Sequence, residues 1–96
     1  MESNKRFEIA FGKAYGALAL GVGSRALMKR AEEQPYFVAA ATAAIGGALI
    51  PVPGGVLVAD NARIIGAVGV SGDNSDNDEA AAVRGIGNAG LESVTG

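Results

Sequence analysis

The apolar positions of the first twenty residues repeat with a helical period. Phe7, Phe11, Ala14 and Leu18 fall on one face, which predicts a helix over 7–20 with Lys13 on a different face. Gly12 and Gly16 lie inside it. Each costs about 1 kcal/mol relative to alanine in a helix interior, a cost met where another backbone packs closely against the glycine. Gly21 and Gly23 end the helix. Ser24 is placed to N-cap a second helix over 25–33, whose polar side carries Arg25, Lys29, Arg30 and Glu33. Pro35 stops that helix by disfavouring helical geometry at Gln34. Residues 36–45 read two ways: their alanines suit a helix, while their place between a proline and Gly46-Gly47 suits a loop or short turn.

From Gly47 the period changes. Residues 48–52, 56–59 and 63–70 are short apolar runs that predict three strands. Asp60-Asn61-Ala62 has turn chemistry, so the second and third strands form an antiparallel hairpin. Alternation sets Ile65, Ala67 and Gly69 on one side and Ile64, Gly66, Val68 and Val70 on the other. Neither side is polar, so both require a cover, of helices or of a second subunit. After the Ser71–Asn74 loop, Ser75 opens a last helix with Asp78 three positions on, as in a capping box, and Ala82, Val83, Ile86, Ala89 and Gly90 form its packing stripe. The fold class is therefore α+β.

Ninety-six residues make one modest domain, 1–96, and a chain this short often needs a partner for stability. There are no cysteines, so no disulfide framework exists. A net charge of -2 gives no electrostatic footprint for nucleic acid. The charges are uneven: Lys5, Arg6, Lys13, Arg25, Lys29 and Arg30 lie in the first third, and Asp73, Asp76, Asp78 and Glu79 cluster late. Two separately solvated faces are the favoured reading of that asymmetry, ahead of a meeting of unlike ends between subunits. No secretory signal is visible at the N-terminus, and cytoplasmic location is expected. The charge-free stretch 35–59 is interrupted by Pro51, Pro53, Gly54 and Gly55, so a buried helix end followed by core strands explains it better than a membrane span.

The stretch Pro53-Gly54-Gly55-Val56, then Ile65-Gly66-Ala67-Val68-Gly69-Val70-Ser71-Gly72, then Asp78-Glu79 with Ala82, resembles the GlcG/HbpS family. That family includes haem-binding HbpS-like proteins and the C-terminal domain of PduO-type cobalamin adenosyltransferases. Upstream, Glu8-Ile9-Ala10 followed by Lys13-Ala14 looks like the family's helical signature. The resemblance implies a profilin-like antiparallel sheet with helices on both faces, and assembly into homo-oligomers. Members usually begin with a further helix and two strands, so the domain is expected to be shortened at its N-terminus. A natural short form, a truncated product or one chain of a split domain would each account for this. A sheet lacking a hairpin exposes an edge, which invites an intimate or strand-exchanged oligomer. Haem ligation by histidine, the route suggested for some relatives, is closed because the chain has no histidine. Tyr15, Tyr36, Met28, a lysine or non-axial binding remain for haem.

Without His or Cys, the chain builds no Ser-His-Asp triad, cysteine nucleophile or histidine-based zinc site. Four candidate sites remain. Gly69, Ser71 and Gly72 lead into the last helix, where free N–H groups and the Ser71 hydroxyl could hold an anionic ligand; a turn whose N–H groups are met by Ser75 and Asp78 is the favoured account. Asp73, Asp76, Asp78 and Glu79 offer oxygen donors, but not at EF-hand spacing, so helix-dipole and solubility roles explain them better and no metal site is assigned. Lys13, which the resemblance includes, could meet an anionic ligand, or Asp78 or Glu79 across the fold; a structural ion pair is favoured over a base or Schiff-base nucleophile. Pro53, Gly54 and Gly55 could line a pocket, or form a rigid turn into a strand.

The reading that follows is a non-catalytic, oligomeric module binding a small ligand, such as haem or another tetrapyrrole. An enzyme or accessory protein of small-molecule catabolism, using Lys13 with Asp78 or Glu79, is the alternative, because the resemblance extends to relatives encoded beside glycolate and diol-metabolism genes. A structural subunit complementing another chain is the third.

Overall fold

The computed structural model describes residues 3–46 and 49–96, with side chains from Arg6 onward. Its elements run α1 (Ser3–Leu20), α2 (Ser24–Glu33), α3 (Tyr36–Ile45), β1 (Gly55–Asp60), β2 (Arg63–Gly69), α4 (Ser75–Asn88) and β3 (Glu92–Val94). The strands form one antiparallel sheet in the order β2-β1-β3, and the fold is α+β. β1 is therefore the central strand, and Gly55 through Ala59 are all buried.

The hairpin of β1 and β2 forms as its composition dictates. Asn61 and Ala62 turn the chain with φ of 51° and 67°, a left-handed geometry that asparagine tolerates and alanine rarely adopts. The register pairs Gly55 with Gly69, Val56 with Val68, Leu57 with Ala67 and Val58 with Gly66, then slips so that Ala59 faces Ile64. This bulge overturns the simple alternation at one end: Ile64 joins the side of Ala59 and Ala67 instead of that of Val68, and Ile65 is the extra residue.

The sheet is covered by a helix on each face. Val56 and Val58 pack with Ala82 and Ile86 of α4, joined by Val68, Val70, Val83 and Leu91. α1 crosses the opposite face. A Cβ on Gly69 would collide with the carbonyl oxygen of Ala10, and one on Gly55 with that of Lys13. The strand glycines thus let helix backbone sit directly on sheet backbone. The helix glycines do something different from expectation: Gly12 and Gly16 are met by the side chains of Ile50 and Leu49, not by a backbone. A second core joins Leu27, Ala41 and Leu49 with Leu20, Phe37, Val38 and Ile45, tying α2 and α3 to the end of α1.

Several expectations are corrected. Residues 36–45 are a helix, closed by Gly46 at φ 75°. Residues 49–52 form no strand; Leu49 and Ile50 serve as plugs for α1, and Ala48 of the expected 48–52 strand lies outside the described residues. The third strand is instead Glu92–Val94, paired to β1. Gly23, not Ser24, stands at the N-cap of α2. Asn74, not Ser75, caps α4, its side chain accepting from the Asn77 amide. Finally, the apolar face of α1 is not the buried one: Phe7, Phe11 and Leu18 are exposed, while Gly12, Lys13, Gly16 and Ala17 face inward.

Candidate functional site

A lysine is placed among small residues on the inner face of α1, so its stem runs over the sheet with no bulky neighbour to exclude it. Lys13 is 2 % exposed and Asp78, in the first turn of α4, is 4 % exposed. Their Nζ and Oδ2 lie 3.1 Å apart. Lys13 Nζ also donates to the Val70 carbonyl at 3.0 Å, and Asp78 Oδ1 accepts from the Asp73 amide at 3.0 Å. Gly54 closes the site from above. Its φ of 126° is open to glycine, and a Cβ there would stand 2.7 Å from Lys13 Nζ. A buried charge is stable only when paired and hydrogen-bonded, and here both charges meet that condition.

Two further contacts surround this pair. Ser24 Oγ accepts from the Gly55 amide at 2.7 Å and donates to the Gly55 carbonyl at 3.3 Å, locking α2 to the head of β1. Arg25 Nε donates to Glu79 Oε1 at 3.0 Å and Oε2 at 3.1 Å, and its Nη2 donates to Asp76 Oδ1. The hydrogen bonds it donates to Asp76 and then Glu79, with the charge of Glu79, hold the Arg25 guanidinium above its ordinary pKa, so it stays cationic. Two cations of the basic first third, Lys13 and Arg25, thus meet three acids of the late segment within one chain, the Lys13 pair buried and the Arg25 contacts at the surface.

Beside the pair, between α2, the residues before β1 and the start of α4, lies a cleft of about 480 Å³. Arg25, Met28, Val52 and Pro53 line one side, and Asn74 to Asn77 the other. It is amphipathic, with a thioether, a proline ring and an aliphatic side chain opposite carboxamides and hydroxyl.

A family model described as haem degrading protein HbpS-like matches residues 3–87. The chain belongs to this family. No curated protein and no solved structure matches it.

Within the HbpS-like chain, the residues singled out from sequence separate into groups. Lys13, Gly54 and Asp78 come together in the buried pair, with Gly55 beneath the Lys13 carbonyl. Pro53 lines the cleft. Glu79 pairs with Arg25, not Lys13. Gly69 is filled by the Ala10 carbonyl, which leaves no approach for a ligand there. Ser71 and Gly72 lie outside the cleft lining, and side-chain oxygens of Asp78, Asp73 and Asn74 accept from the amides of Asp73, Asn74 and Asn77 respectively. The four acids do not converge: Asp78 turns to Lys13, Asp76 and Glu79 to Arg25, and Asp73 to Asn77. Sequence reasoning missed Ser24 as an interior residue and Arg25 as a cleft residue, and named Met28 only among the candidate haem ligands. Arg25 had a signal in the acids Asp76 and Glu79, but opposite charges 51 and 54 residues apart have no local spacing to reveal them.

Proposed function

We propose that this chain binds a small amphipathic ligand, of tetrapyrrole class, in the cleft between α2 and the start of α4, and does no proton-transfer chemistry with Lys13 or Asp78. The observation that carries this reading is the burial and mutual pairing of Lys13 and Asp78. A general base or nucleophile needs a free lone pair within reach of substrate. Lys13 Nζ is engaged by Asp78 and Val70, and Asp78 by Lys13 and Asp73, at 2 % and 4 % exposure. The cleft alongside has the size and mixed lining of a small-molecule site.

The tetrapyrrole class is suggested by the family description. Of the haem ligands the sequence leaves open, Met28 lines the cleft, and a lone thioether is a weak hold on iron. The chain has neither His nor Cys, and Lys13 is spent in its pair. The Tyr15 hydroxyl donates to the Ile45 carbonyl at 2.8 Å, and Tyr36 does not line the cleft. The hold is therefore assigned to the walls, Met28, Val52 and Pro53, with the carboxamides of Asn74 and Asn77 as polar partners.

Titration of the purified protein with haemin and with metal-free protoporphyrin IX tests this. Binding constants within about threefold of each other are expected, a difference of less than about 1 kcal/mol. Val52→Asp is expected to weaken both at least tenfold. Haemin binding with no detectable porphyrin binding would refute the wall-held reading. Turnover of a tetrapyrrole that is lost in Lys13→Met would instead establish the enzyme reading.

A further inference from the structure

The cleft between α2 and the start of α4 carries a charge of each sign, and the two are engaged with each other. Among the described residues that line it, Arg25 is the one cation and Asp76 the one anion. Asp76 Oδ1 accepts from Arg25 Nη2. Arg25 is also held by Glu79, whose two carboxylate oxygens accept from Nε at 3.0 and 3.1 Å. These two acids are placed differently. Glu79 is 13 % exposed and lies outside the cleft lining, whereas the Asp76 side chain is 77 % exposed and borders the cleft. Glu79 thus fixes the guanidinium from behind, and Asp76 meets it on the side of the cleft.

The contact with Asp76 is easily exchanged. An ion pair between exposed groups is screened by water and salt and contributes little. Asp76 also uses a single oxygen on a single nitrogen. The terminal nitrogens of a guanidinium form a planar fork that matches both oxygens of one carboxylate. In Arg25, Nη1 has no partner among the described residues and Nη2 has only Asp76. A carboxylate entering the cleft can take Nη1 and Nη2 together, a better geometry than the one it replaces. Because Glu79 holds Nε and leaves the fork alone, the guanidinium is oriented before the ligand arrives. The carboxamides opposite carry no charge and are partly committed: Asn74 Oδ1 accepts from the Asn77 amide, and Asn77 Nδ2 donates to Asp73 Oδ2. Arg25 is therefore the group of the cleft that can tell an acid from its neutral analogue.

We infer that Asp76 stands in for an acidic group of the ligand: the cleft selects a ligand bearing a carboxylate, which displaces Asp76 and takes the terminal nitrogens of Arg25 while Glu79 keeps Nε. This rests on the cleft being the ligand site, as proposed above, and names the side chain that sets its specificity. The distinctive consequence is a sign. A lining residue that touches a ligand favourably weakens binding when it is cut back. Asp76 does the reverse, because its loss frees Nη2 and removes a like charge beside the incoming carboxylate.

The test is a fluorescence titration of wild type, Arg25→Gln and Asp76→Ala with protoporphyrin IX, a dicarboxylic acid, and with its dimethyl ester. Wild type is expected to bind the diacid at least about tenfold tighter than the ester. Arg25→Gln is expected to bring the diacid to within about threefold of the ester. Asp76→Ala is expected to bind the diacid at least about threefold tighter than wild type does, with the ester moved by less than about twofold in either variant. Unchanged ester binding shows that the cleft of Arg25→Gln is intact, and a gain of affinity in Asp76→Ala cannot come from damage to the fold. Equal binding of diacid and ester by wild type overturns the inference while the ligand reading stands. So does an Asp76→Ala protein that binds the diacid no better than wild type. Binding of neither porphyrin by wild type sinks the ligand reading itself, and this inference with it.

Discussion

Lys13 and Asp78 show what a buried ion pair demands. Each is nearly sealed from water, and each is hydrogen-bonded to the other and to one backbone group. Removing one partner leaves an uncompensated charge inside the fold, at a cost of about 3–5 kcal/mol. Asp78→Ala is therefore expected to lose that much in urea unfolding. The double replacement Lys13→Met with Asp78→Leu is expected to recover most of it, ending within about 1 kcal/mol of wild type. A double variant as unstable as Asp78→Ala would show that the pair contributes more than mutual neutralisation. A structural ion pair for Lys13 was the favoured expectation from the sequence, with Asp78 or Glu79 as its partner; the fold selects Asp78 and gives Glu79 to Arg25. Ser24 was not legible. Its hydroxyl has the chemistry of a helix cap, but it is drawn inside by the Gly55 amide, a partner 31 residues away.

At the scale of elements, helices and the hairpin follow from local pattern, while their ends follow from competition among neighbours. Asn74, Ser75 and Asp78 are all able to cap α4, and Asn74 does so because Asp78 is diverted to Lys13 and the Asp73 amide. Asn74→Ala is expected to cost about 1 kcal/mol and Ser75→Ala under about 0.5 kcal/mol in thermal unfolding. The reverse order would return the cap to Ser75. The ambiguity at 36–45 is resolved by packing: Ala41 is buried against Leu27 and Leu49, and Phe37 and Val38 close the cluster. The apolar run ending at Val52 has strand composition but no strand beside it. Leu49 and Ile50 fill the hollows left by Gly16 and Gly12 instead. β3, only Glu92-Ser93-Val94, carries no periodic signal at all and exists because β1 has an edge to offer.

Over the whole molecule, charge and apolar surface are distributed by folding in ways their order along the chain does not reveal. Arg25 joins Asp76 and Glu79 at the surface, where salt screens it. Arg25→Ala is expected to change stability little, and 0.5 M NaCl should lower wild-type stability toward that variant while leaving the contribution of Lys13 and Asp78 nearly intact. Equal salt sensitivity of Lys13→Met and Arg25→Ala relative to wild type would contradict that division. By itself the sequence determined the α+β class, the hairpin, most helices, the absence of thiol and imidazole chemistry, and the family, because these rest on local period, turn chemistry and residue type. The tertiary structure decided which face of α1 is inside, because glycines at 55 and 69 admit helix backbone only on its small-residue side. It also decided that the candidate catalytic groups neutralise each other while Arg25 and Met28 border the cleft, since burial and long-range pairing exist only once the chain has closed on itself.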